Sequence, residues 1–225
     1  MHRSLQRLLL WVGTVLAAAA TAHADTAADA YRTMGISPGD VLSGTVLSGR
    51  VLPDAEKLVV SVTTYFTGAR EEGRAVNVRL DVFRRREGAL ASIHTRDFGA
   101  EHEGHVGRGD LQLVDLDGDG INEIIVSFDS HGDPLIDQRL TEILQYRGNG
   151  FEVAWAGPVE YDATKAARRV PVERRDHYKR EIDWPATLGS RGQTLVFKKT
   201  MLAVAGERLA QPKSVAESFP LREAD

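Results

Sequence analysis

The sequence predicts a mainly β protein, built from antiparallel sheets with few short helices, and three observations carry that expectation. The apolar runs are short and rich in β-branched residues rather than spaced at the helical period. Turn-forming residues separate them, as in Arg86-Glu87-Gly88 and Arg147-Gly148-Asn149-Gly150, which suit hairpins. An Asp-rich segment, Asp115 to Glu123, lies between two of these runs. At 225 residues, 42% hydrophobic and 27% charged, the chain can bury a substantial core and has the composition of a folded globular protein. It contains no cysteine, which excludes a disulfide framework, a thiolate zinc site and a cysteine nucleophile.

The chain opens with Arg3 and Arg7, then an uncharged run from Leu8 to Ala20 and the small-residue pattern Ala22-His23-Ala24. This is the layout of a secretory signal peptide over residues 1–24, because the apolar run is too short to span a bilayer core of about 30 Å. Cleavage before Asp25 leaves a single β-rich domain, residues 25–225, with a formal charge of −6 against −4 for the full chain. No later stretch approaches membrane length, so the mature chain is expected to be periplasmic or secreted, with no integral membrane segment.

Two short helices are expected, at Ala27 to Met34 and Thr164 to Val170, the second stopped by Pro171. Strands are expected at Val41 to Val51, Leu58 to Phe66, Val76 to Arg84, Ala89 to Thr95, Leu111 to Asp115, Glu123 to Phe128, Thr141 to Tyr146, Phe151 to Ala156 and Thr194 to Val204. Charge is uneven along this framework. Between Arg108 and Arg139 there is no Lys or Arg, while Asp110, Asp115, Asp117, Asp119, Glu123, Asp129, Asp133 and Asp137 crowd the same interval. Such a block repels itself unless a cation enters it. Lys165 to Arg180 is basic by contrast, but Tyr178 is its only aromatic residue; it reads as a solvated segment, and nucleic acid is not an expected partner.

The segment Asp115-Leu116-Asp117-Gly118-Asp119-Gly120-Ile121-Asn122-Glu123 places carboxylates at loop positions one, three, five and nine, with Gly120 at six. Hard Ca²⁺ takes six to eight oxygen ligands, and a tight loop supplies them from alternate side chains and a backbone carbonyl, here that of Ile121. An EF-hand would carry a Glu at position twelve, where this chain has Val126, and the flanks Leu111 to Val114 and Ile124 to Phe128 are strand-like. The expected metal ligands are therefore Asp115, Asp117, Asp119, Ile121 and Glu123, with Ca²⁺ as the cofactor.

These residues resemble the calcium loops of the FG-GAP and VCBS repeat families, whose four-stranded blades build β-propellers. The resemblance covers about residues 98–157 and implies one propeller-blade-like unit, with the loop joining its first two strands. Phe98-Gly99-Ala100 is similar to the family's Phe-Gly pair but stands further ahead of the loop, Ser127-Phe128-Asp129 replaces its Gly-Ala-Pro, and no second Asp-rich loop occurs.

Catalytic signals are thin. Glu101-His102-Glu103-Gly104-His105 spaces its histidines by three rather than by the four of H-E-x-x-H. No nucleophile elbow, P-loop or dinucleotide fingerprint occurs. Arg108-Gly109-Asp110 spells an integrin-binding tripeptide, which chance readily supplies, and Trp155, Trp184 and Tyr161 read as packing residues. The expectation is an exported calcium-binding β protein, a non-enzymatic module that binds a protein or envelope component. The alternative is a metal-dependent hydrolase acting on a phosphate or glycan. The leader is tested by the intact mass of exported protein, which should correspond to a chain beginning at Asp25; a mass that includes Met1 would refute cleavage.

Overall fold

The computed structural model describes residues 26–54, 56–68, 75–102, 106–132, 135–166, 170–189 and 194–221. The expected leader, 1–24, lies outside them. Two antiparallel sheets account for most of the described chain, accompanied by three short helices. The first sheet is a meander of β1 (Val41–Gly49), β2 (Leu58–Thr67), β3 (Ala75–Arg86) and β4 (Ala89–Asp97). The second runs in chain order through seven strands: β5 (Val106–Val114), β6 (Glu123–Ser130), β7 (Asp137–Arg147), β8 (Gly150–Asp162), β9 (His177–Ile182), β10 (Thr194–Val204) and β11 (Glu207–Pro220). Within each sheet every strand pairs with its neighbour in sequence. Glu87 and Gly88 both take positive φ, 51° and 85°, between β3 and β4, the geometry that a two-residue hairpin requires.

The first core lies between the sheets. Val60, Val62, Val78, Leu80 and Val82 of the small sheet meet Leu111, Ile124, Val126, Phe128 and Leu144 of the large one. The opposite face of the large sheet carries a second core, where Ile125, Ile143, Ala154 and Trp155 pack with Leu195 and Phe197 of β10. Strands β6 and β7 are thus buried on both faces, which explains why Ile124-Ile125-Val126 is continuously apolar instead of alternating. Helix α1, residues 26–34, covers the outer face of the small sheet, with Ala30 and Met34 packed against a cluster containing Val59, Phe83 and Leu90.

The four strands expected around the Asp-rich loop are β5 to β8, consecutive and antiparallel. The sheet does not stop there, because Glu160 to Asp162 of β8 pair with β9, and no closed barrel or propeller is present among the described residues. Two further strands occur where none was expected, β9 and β11. Of the helix expected at Thr164 to Val170, residues 167–169 lie outside the described residues, and the rest is not helical: Ala166 N–H donates to Ala163 O in a turn. Helices α2 (Phe98–Glu101) and α3 (Trp184–Gly189) were also unexpected; each starts at an Asp whose carboxylate accepts a backbone N–H, Asp97 from Ala100 and Asp183 from Ala186.

The sheets come into close contact at Gly109. Its N–H donates to Thr64 Oγ1 at 2.9 Å, and a Cβ there would lie 2.8 Å from both Val62 Cγ1 and Val78 Cγ1, side chains with no exposed surface. Gly109→Ala should therefore destabilise the fold by about 1–3 kcal/mol, read as a lower urea midpoint at unchanged m-value.

Candidate metal centre

The Asp-rich loop spans the gap between β5 and β6. Two positive-φ glycines, Gly118 at 82° and Gly120 at 83°, fold it back upon itself, and its carboxylates hold its own backbone. Asp115 accepts N–H bonds from Gly118 through Oδ1 (2.7 Å) and from Gly120 through Oδ2 (2.9 Å). Asp117 Oδ1 accepts from Asp119 N–H and Asp119 Oδ1 from Ile121 N–H. Glu123 Oε2 closes the turn by accepting the Leu116 N–H at 2.6 Å. Outside anchors fix the loop: the Leu116 side chain is fully buried in the second core, and the backbone N–H and Nδ2 of Asn122 both donate to Arg50 O.

Oxygens of Asp115, Asp117 and Glu123 lie within 4.8 Å of one another. Asp119 stands beside this group, its carboxylate capping Ile121 N–H. Glu123 is only 3% exposed, and among the described residues no Lys, Arg or His forms an ion pair with any of the four carboxylates. Burial, reinforced by the charges of Asp117 and Asp119, raises the Glu123 pKa to about 7 against the Leu116 N–H bond that lowers it. Burial chiefly raises that of Asp117 as well. The donor set fits a hard cation, being all oxygen, and among the described residues its only side-chain or backbone partners are neutral N–H donors, with no cation beside the buried carboxylate.

Gln145 of β7, unremarked in the sequence, faces the same point. Its Nε2 donates to Asp117 Oδ2 at 3.0 Å and to Glu123 Oε1 at 3.3 Å, while its Oε1 accepts from Arg147. Only the pairing of β6 with β7, Ile124 against Leu144, brings it there, and no local motif announces it.

The other described acids of the crowded interval find cations at its ends or further along the chain. Arg139 pairs with both Asp110 and Asp129, and Lys165 with Asp137; Asp133 lies outside the described residues. In the basic window Lys179 pairs with Glu160 and Arg180 with Glu217. Arg108-Gly109-Asp110 lies within β5, its glycine buried. His102 packs its ring against Phe128 and Glu101 pairs with Arg96, whereas Glu103, Gly104 and His105 lie outside the described residues. Trp155 and Trp184 belong to the second core, and Tyr161 stacks on Tyr178.

A raised folded-state pKa makes the apo protein most stable where Glu123 is protonated. Its contribution is complete below the unfolded value of 4.5 and lost as pH rises through about 7. In chelator, the wild type should lose on the order of 3 kcal/mol relative to Glu123→Gln between those limits. Thermal melts of both proteins across that range check the sign; parallel curves would contradict it.

Compared with models of known protein families, with curated proteins and with solved structures, the chain matches none of them.

Proposed function

We propose that the protein is an exported calcium-binding β module, non-enzymatic, that binds a protein or envelope component and uses Ca²⁺ to hold its structure. The observation that carries this reading is the convergence of Asp115, Asp117 and the buried Glu123 without a cationic partner. Asp119 and the Ile121 carbonyl complete the proposed ligand set from the same loop. A bound Ca²⁺ would supply the positive charge that this group of carboxylates lacks. The chain's own part is to present the oxygens: Gly118 and Gly120 turn the loop, Leu116 and Asn122 fix it to separate layers, and Gln145 orients two of the carboxylates.

The loop's place between the first two of four consecutive antiparallel strands supports a blade-like unit of the FG-GAP or VCBS kind. The leader-like residues 1–24 support export. No helix among the described residues is long and apolar enough to cross a membrane. For the hydrolase alternative, the described part of the Glu101 to His105 segment supplies no observation in favour, since His102 rests on Phe128.

Extracellular calcium modules bind at about 10⁻⁴ to 10⁻³ M, and calcium at ten times the dissociation constant stabilises the folded state by about 1.4 kcal/mol. The melting temperature should rise by roughly 3–6 °C from EDTA to saturating calcium. Asp117→Asn and Glu123→Gln should each abolish the rise, and Asp129→Ala should retain it. Metal analysis of the purified protein accompanies the melts, and identical melting in EDTA and calcium with no bound metal would overturn the assignment.

A further inference from the structure

A second site lies where the two sheets part. The β1–β2 connection, strand β4 and the β7–β8 hairpin enclose a cleft of about 660 Å³, within the roughly 300–1,000 Å³ usual for small-molecule sites. A register shift in the β3–β4 pairing creates its inner surface. Val82 opposes His94 and Phe83 opposes Ser92, so that Ile93 is the extra residue of a bulge. A bulge re-aims the side chains that follow it. Here His94 faces the cleft and sets its ring 5.1 Å from that of Phe151, while Ile93 is left 43% exposed at the rim. Tyr146 meets Phe151 edge-on at 5.5 Å, and its hydroxyl donates to Gly148 O.

Three features define the ligand. The aromatic rings offer negative faces to C–H groups. His94 Nε2 is buried without a hydrogen-bond partner, so a purely apolar occupant would strand it. Arg84 also lines the cleft, but its charge is already met by Asp54 at 2.7 Å and Glu56 at 2.8 Å, which leaves no excess positive charge for an anion. A hexopyranose whose hydroxyls and glycosidic bond are equatorial, the β-linked form, meets all three conditions, with C–H groups across its faces and hydroxyls around its rim that both donate and accept.

We propose that this cleft binds a β-linked hexose or hexosamine, stacked on Phe151 and Tyr146, with ring hydroxyls bonded to His94 Nε2 and to the polar rim at Asp54 and Asn149. Burial and the charge of Arg96 lower the pKa of His94, keeping it neutral, with one ring nitrogen to donate and one to accept. The cleft shares no residue with the carboxylate group of the Asp-rich loop, so the two assignments stand or fall separately.

The experiment is an NMR titration of the calcium-treated protein with a β-1,4-linked N-acetylglucosamine trimer and, separately, with cellotriose. The expected result is saturable shifts of the backbone amides of Ile93, His94, Asn149 and Phe151 with at least one sugar; which one distinguishes hexosamine from hexose. Phe151→Leu and His94→Phe should each weaken binding about fivefold. The second variant keeps an aromatic ring in place, and the melting temperatures of both are measured so that lost folding is not taken for lost binding. The proposal is overturned by the absence of shifts with both sugars, by shifts confined to other residues, by unchanged affinity in a folded His94→Phe, or by tetramethylammonium competing the sugar away at equal concentration.

Discussion

Strands β6 and β7 are covered on both faces, and the rest of the molecule is arranged around that burial. Ile124, Val126, Phe128 and Leu144 need a layer on one side, and Ile125 and Ile143 need one on the other. The small sheet supplies the first. The large sheet supplies the second itself, because its last strands bring Leu195 and Phe197 against the back of its first ones. Two apolar cores formed in this way replace the single core of an ordinary two-layer sandwich, and aromatic contacts lock the second one: Trp155 lies 4.7 Å from Phe197 and 5.8 Å from Phe219.

The Asp-rich loop inherits its rigidity from this arrangement. It leaves β5 and enters β6 at the junction of the two cores, so Leu116 sinks into one of them while Asn122 is tied to Arg50, just beyond β1. Its carboxylates are preorganised by loop N–H groups, which fixes their positions but leaves their mutual repulsion largely uncompensated. Burial of Glu123 makes that repulsion costly, since an ionised carboxylate in a poorly solvated setting needs a counter-charge or a proton. The same segment therefore couples local electrostatics to the packing of both cores.

Most of this was legible in the sequence, for physical reasons that also mark where legibility ended. The hairpins around Gly88 and Gly148 and the strand at Thr194–Val204 follow from turn chemistry and β-branched runs, which act locally. Strand β9 is hidden because His177-Tyr178-Lys179-Arg180-Glu181-Ile182 is polar; Lys179 and Arg180 are held by Glu160 on β8 and Glu217 on β11, and such partners are invisible to a local reading. Strand β11 was hidden because it is an exposed edge, containing Pro212 and burying little along most of its length. In the loop, the register of Asp115, Asp117 and Glu123 was readable, whereas Gln145 reaches them only through the pairing of distant strands. Pro171 marks a helix end by local chemistry, whereas the buried Ala163 and Ala166 are joined in a turn.

The unbroken meander of both sheets bears on how the chain reaches this structure. Every strand pairs with the one just before or after it, so the ladders close over local connections, the longest being 163–176 between β8 and β9, and the entropy lost in forming them is small for a protein so rich in strand. A chain emerging with its N-terminus first can complete β1 to β4 before β5 exists, then extend the large sheet one strand at a time from β5 to β11. The distant contacts come from docking β5 to β7 against the finished small sheet and from folding β10 back over Ile125 and Ile143. Those two closures, rather than strand pairing, carry the contacts of large sequence separation.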